Sequence, residues 1–168
     1  MLRPEEHTNM EAVVEAYRHL LPPPGTNVIL DIGAGLSTPW AEHLQRRCAH
    51  YIALDVRGGV HIDIVADASL GHHCLPFTDK GVSWGWCTEV IEHIPPERQM
   101  QTVMEIARVC RNFVITYPST RSRHFRADPG HNVVVVDWRE VESWGFRMTD
   151  HSTPSGRVAL VFTEREAA

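Results

Sequence analysis

The chain has 168 residues, a net charge of −5, 43% apolar and 22% charged side chains. This length fits one domain of 1–168 with a core large enough to stand without staples, and the longest apolar run, Val158 to Phe162, excludes a membrane span. The acidic balance argues against a large nucleic-acid footprint. Cys48, Cys74, Cys87 and Cys110 form no CxxC pair, which excludes a zinc framework and fits free thiols.

Taken in order, MLRPEEHTNM lacks the apolar core of a secretion signal, so a cytoplasmic protein is expected. Residues 1–25 read as an N-terminal helix and linker, and 26–168 as the core. Thr8 and Glu11 have capping-box spacing. Met10, Val13, Val14, Tyr17 and Leu21 follow on one helical face, and Pro22 to Gly25 stop it. VILDIGAG predicts a strand at 27–31 and a tight loop at 33–37. Thr38 and Pro39 then predict an N-cap and first turn for a helix running to about Arg47. Two strands are expected at 50–55 and 61–67, each closing on an aspartate. A loop at 68–80 and a strand at 82–87 follow, in which Trp84 and Trp86 alternate as core residues. Pro95 and Pro96 open a helix carrying Met100, Val103, Met104 and Ala107 on one face. A fifth strand is expected at 112–119, then an arginine-bearing loop and a short helix near Trp138–Trp144. A final hairpin turns through Thr153–Gly156. This alternation predicts an α/β fold: a Rossmann-like, doubly wound, mostly parallel seven-stranded sheet with an antiparallel C-terminal hairpin strand.

In such a sheet a ligand binds at the carboxyl ends of the strands, where Asp31, Asp55, Asp67 and Glu89 all fall. Gly33 and Gly35 leave a backbone turn open to a ligand. The third glycine of a dinucleotide fingerprint is Thr38 here, and Asp31 would repel a pyrophosphate, so NAD and FAD are disfavoured. The GK[ST] phosphate loop is absent, which disfavours ATP. S-adenosylmethionine suits four carboxylates better, because it carries an ammonium and a sulfonium and no phosphate. Asp31, Asp55 and Asp67 can serve in turn the ammonium, the ribose hydroxyls and the adenine amino group.

Five stretches in order, VILDIGAG (28–35), IALD (52–55), VADASLGHHCLPF (65–77), WCTEVIEHIP (86–95) and EIARVCRNFVITYP (105–118), resemble the class I S-adenosylmethionine-dependent methyltransferases, of the small-molecule O- and C-methyltransferase group. The resemblance implies that Gly33, Ala34 and Gly35 wrap the methionine part. It implies that Asp55 holds the ribose, that Asp67 with Ala68 holds the adenine, and that Thr88 and Glu89 neighbour the methyl donor. DNA base N-methyltransferases carry an (Asp/Asn/Ser)-Pro-Pro-aromatic motif where this chain reads CTEV. That chemistry is therefore not expected.

The segment EVIEH resembles two metal-binding groups: the small-RNA 3′-end 2′-O-methyltransferases and some ubiquinone-pathway O-methyltransferases. Helical spacing puts Glu89 and Glu92 on one face. The RNA enzymes add a histidine after the fifth strand, before a Trp-containing helix, and here His131 precedes DWREVESW. Gly130 stands where those enzymes tend to carry Asp. The resemblance implies a Mg²⁺, Mn²⁺ or Zn²⁺ site of Glu89, Glu92, His93 and His131. Without a metal, His93 or His131 is the candidate general base. His72, His73 and Cys74 read as loop residues with no fourth ligand.

Arg121, Arg123 and Arg126 cluster beyond the fifth strand and suit an anionic acceptor. The expected function is methyl transfer from S-adenosylmethionine to oxygen of a small-molecule acceptor. The alternatives are a metal-dependent RNA 2′-O-methyltransferase and a non-catalytic cofactor-binding regulatory module. No insertion is large enough for a lid beyond the N-terminal helix and the arginine loop, so either an open pocket or one completed by a partner protein or homodimer is expected.

Overall fold

The computed structural model describes residues 14–36, 38–154 and 156–165. Thr8, Met10, Glu11 and Val13 lie outside them. The chain is helical at 14–17 and continues as a 3-10 turn, Arg18–Leu20, before Pro22 to Pro24 end it.

Seven strands follow: β1 Thr26–Ile32, β2 Cys48–Asp55, β3 Ile64–Val65, β4 Val82–Thr88, β5 Cys110–Pro118, β6 Phe146–Asp150 and β7 Arg157–Glu164. They form one sheet in the order β3-β2-β1-β4-β5-β7-β6. All pairs among β1 to β5 are parallel, whereas β7 lies antiparallel between β5 and β6. The chain winds outward from β1 to β3 and then returns to place β4 beside β1. The switch point therefore opens a crevice at the carboxyl ends of β1 and β4.

Side chains alternate across the sheet and fill a core on each face. On one side Leu30, Ile32, Phe113 and Phe162 pack with Val103 and Ile106 of helix α2, Pro96–Val109. On the other, Ile29, Trp86 and Val114 pack with Tyr17, Leu20, Trp40 and Leu44. Trp40 meets Trp86 edge-on with centroids 4.9 Å apart, so the tryptophan of β4 is core, as expected. A Cβ at Gly85 would lie 2.7 Å from Cys110 Sγ, so β4 and β5 approach too closely there for a larger residue.

Four expectations are corrected. Thr38 has φ +39°, incompatible with the extended backbone of an N-cap, and helix α1 spans only Ala41–Gln45 behind Trp40. The third strand keeps two residues, because the edge of the sheet pairs only Ile64 and Val65 with β2. The arginine loop contains a short helix, α3 Arg123–Ala127, capped by Ser122 Oγ accepting from the Phe125 N–H at 2.9 Å. Glu89 has φ +56° and stands outside the 3-10 turn Ile91–His93, so Glu89 and Glu92 do not share a helical face. The last helix, α4 Trp138–Ser143, matches expectation, as do the four free cysteines.

Candidate active site

The crevice at the switch point encloses about 680 Å³ and is lined by Gly33, Gly35, Asp55, Asp67, Ala68 and Glu89 among others. Its floor is the β1 loop. Gly33 and Ala34 donate their N–H groups to the Leu54 carbonyl at 2.8 and 3.0 Å, which draws the loop over β2. Gly33 has φ +70°, and a Cβ there would come within 2.4 Å of Val90 Cγ2. Asp55 braces the same loop: one carboxylate oxygen accepts from Gly35 N–H at 3.0 Å, the other from Arg57 N–H at 2.8 Å. Asp67 caps the turn Ala68–Leu70 through the Ser69 N–H at 2.8 Å.

Asp31, Ala34 and Thr88 stand just behind this lining. Asp31 lies on the sheet face that carries Trp86 and accepts a hydrogen bond from Tyr51 Oη at 2.7 Å. Burial raises its carboxyl to about 7 against that bond, with Asp55 adding to the rise. Ala34 is buried, and Thr88 ends β4 in register with Thr116.

Glu89 departs toward β5 and β7. Its N–H donates to the Thr116 carbonyl at 2.9 Å, its Oε1 accepts from Thr116 Oγ1 at 3.3 Å, and Arg157 Nη1 lies 3.4 Å from its Oε2. Tyr17 is buried over this group. Desolvation, then the charge of Glu89, pushes its phenol up to about 12. Burial also raises the Glu89 carboxyl, while Arg157 and Thr116 oppose the rise.

The 3-10 turn after Val90 brings Glu92 and His93 to His131: one ligand atom from each lies within 4.8 Å of the others. The two imidazole rings meet edge-on, centroids 4.8 Å apart. Glu92 is fully buried, and neither carboxylate oxygen has a hydrogen-bond partner among the described residues. Desolvation, then the charge of Glu89, raises its carboxyl to about 8. His93 falls below the usual imidazole range through burial and the neighbouring His131. His131 Nε2 lies 3.6 Å from Asp128 Oδ2, and Phe125 of α3 stands beside its ring. Three of the four residues expected to ligate a metal are thus together, and Glu89 is turned to Arg157.

Sequence reasoning missed Arg157, Tyr17 and Gln99. Arg157 sits in a strand and Gln99 in a helix, at positions no short motif marks. His72, His73 and Cys74 form a loop, tied through the His73 N–H to Glu105 at 2.9 Å. Among the described residues they belong to no cluster with metal-ligand spacing.

No protein-family model matches the chain, and no curated protein matches it by sequence. Solved structures do. A SAM-dependent methyltransferase from Archaeoglobus fulgidus matches with a TM-score of 0.73 at 18% identity, over 92% of this chain and 94% of that one. A chain of the complex between the Haloferax volcanii Trm112 methyltransferase activator and the putative methyltransferase matches at 0.67 and 14% identity, over 97% and 95%. The small RNA methyltransferase HEN1 matches at 0.59 and 12% identity, over 100% of this chain and 26% of that one. At these identities the likeness is one of fold, and the fold is that of the S-adenosylmethionine-dependent class I methyltransferases. No described helix is long and apolar enough to cross a membrane.

Proposed function

We propose that this protein transfers a methyl group from S-adenosylmethionine to a hydroxyl oxygen of an anionic acceptor, with a divalent ion held by Glu92, His93 and His131. The observation that carries this reading is the fully buried Glu92 carboxylate, without a hydrogen-bond partner among the described residues, beside two imidazoles of which His93 lines the crevice. A buried charge persists only when paired or coordinating. One carboxylate and two imidazoles form a donor set that suits Zn²⁺ or Mn²⁺.

When bound, S-adenosylmethionine supplies an electrophilic methyl group, and the protein's task is to align the acceptor with it. Gly33 and Gly35 offer bare backbone to the methionine part, and Asp55 and Asp67 accept from the ribose hydroxyls and the adenine amino group. Asp31, buried behind the loop, would act on the ammonium only through that loop, and Thr88 and Glu89 would flank the reacting end. A divalent ion supplies Lewis acidity that lowers the pKa of an acceptor hydroxyl. In a metal-free reaction, His93, kept neutral by its lowered pKa, would take the hydroxyl proton.

Arg121, Arg123 and Arg126 are exposed on and before α3, the helix whose Phe125 packs on His131. They give the mouth a positive rim for a phosphate-bearing or carboxylate acceptor. HEN1 is a small RNA methyltransferase whose fold covers this whole chain, and this favours an RNA end over a free small molecule. Leu36 and Val56 are exposed beside the crevice, at 52% and 60%, which suits a partner protein or second copy completing it. Calorimetry with S-adenosylmethionine tests the reading. The parent protein should bind, Asp55→Ala should bind at least tenfold more weakly, and no binding by the parent would sink the proposal.

A further inference from the structure

Gln99 lies on the first turns of α2 and is fully buried. Its Nε2 faces three carbonyls, of Ile91 at 3.3 Å, Ile94 at 3.1 Å and Val133 at 3.2 Å. Its Oε1 accepts from the Val135 N–H at 2.8 Å. That donor fixes which way the amide points, since only oxygen can receive it. Three carbonyls share two amide hydrogens, so the side chain is saturated.

Ile91 and Ile94 bracket the turn that presents Glu92 and His93. Val133 and Val135 belong to the stretch that begins at His131, and residues 131–137 belong to no helix or strand. That stretch therefore draws no ladder bonds from the sheet. Gln99 supplies two of its backbone partners, and the Asn132 N–H donates to the Glu92 carbonyl at 2.6 Å. Buried backbone groups need such partners, and Gln99 bonds to both segments through one side chain.

We propose that Gln99 is a positioning residue for the ion site. Its amide ties the turn bearing Glu92 and His93 to the stretch bearing His131, and so sets the spacing of the ligands. The inference rests on the reading that this cluster holds a divalent ion. Outer groups that orient ligating side chains commonly alter metal affinity by about 10- to 100-fold when removed, and Gln99 acts one step further out, on the backbone that carries them.

The test titrates the full chain with Co²⁺, whose visible absorption reports imidazole coordination. The parent should bind and show that absorption. Gln99→Met, of similar shape but without the amide, should bind about 10- to 100-fold more weakly with a shifted band. Gln99→Glu keeps the shape and an acceptor, and should fall between. Glu105→Gln, on the same helix but bonded to the 73–75 loop, should lower the melting temperature and leave Co²⁺ binding as in the parent. A parent that binds no Co²⁺ would remove the metal reading itself. Parent-like binding by Gln99→Met, or by Gln99→Glu where the former does not fold, would overturn the positioning role alone. So would equal weakening by Glu105→Gln, which would make the effect one of stability.

Discussion

Glu105, inside α2, and Glu92, in the turn just before it, are both fully buried, yet their surroundings are opposite. Around Glu105 every acceptor is used. Arg108 donates to its two oxygens at 2.7 and 2.9 Å, and the Leu75 and His73 N–H groups donate at 2.9 Å each. Burial pushes this carboxyl up, but those bonds outweigh it and hold the group at about 2. Around Glu92 no other described residue donates to the carboxylate, and burial, with the charge of Glu89, carries it to about 8. One glutamate is a finished clamp between α2 and the 73–75 loop. The other lacks such donors and is where the proposed cation would bind. Placement of a charge in the interior is thus informative only together with its partners.

The contrast can be broken most forcefully at Glu105. Glu105→Ala leaves Arg108 with Asp79 as its carboxylate partner but strands the His73 and Leu75 N–H groups, and should cost about 3 kcal/mol, read as a drop in thermal midpoint. A loss below about 1 kcal/mol would show that the clamp contributes little. Next in size is the response to metal. At about 100 times its dissociation constant, Mn²⁺ or Zn²⁺ should stabilise the parent by about 2.7 kcal/mol, and Glu92→Gln should show no such gain in the same thermal scans.

The pH profile sharpens the comparison further. Between about 4.5 and 8, folded Glu92 holds a proton that the unfolded chain has lost, so it lowers the stability of the metal-free protein as pH rises. Glu105 acts oppositely: its contribution is lost as pH falls from about 4.5 to 2 and is full above that window. Urea midpoints should therefore show Glu92→Gln gaining on the parent steadily as pH rises from about 4.5 to 8, with little difference at pH 4.5. A constant offset across that range would refute the assignment. The smallest effect belongs to Thr116→Val, which removes one hydrogen bond to Glu89 and should cost about 1 kcal/mol in the same assay.

Much of this was legible in the chain itself. Strand-to-helix alternation predicted the sheet and its final hairpin, because period-2 and period-3.6 patterns are local. The acidic strand ends predicted the crevice, and Asp55, Asp67 and Glu89 do line it. The resemblance of EVIEH and His131 to metal-binding methyltransferases implied a four-residue cluster, of which Glu92, His93 and His131 come together. The rest depended on contacts distant in sequence. Glu89 leaves the expected face because a positive φ and the Thr116 carbonyl direct it toward Arg157, and β7 could not be placed beside β5 from local pattern. Gln99 acts through backbone carbonyls, and such partners leave no residue-type signal. Thr38 shows the converse: its side chain suits a cap, but its backbone conformation does not permit one.

The central claim is best tested by transfer of label from methyl-labelled S-adenosylmethionine into pools of RNA and of small anionic hydroxyl compounds. The parent and Glu92→Ala would be compared with and without EDTA. The account predicts incorporation into one pool by the metal-loaded parent, lost on chelation and in Glu92→Ala. Incorporation that survives both, or none in either pool, would contradict it.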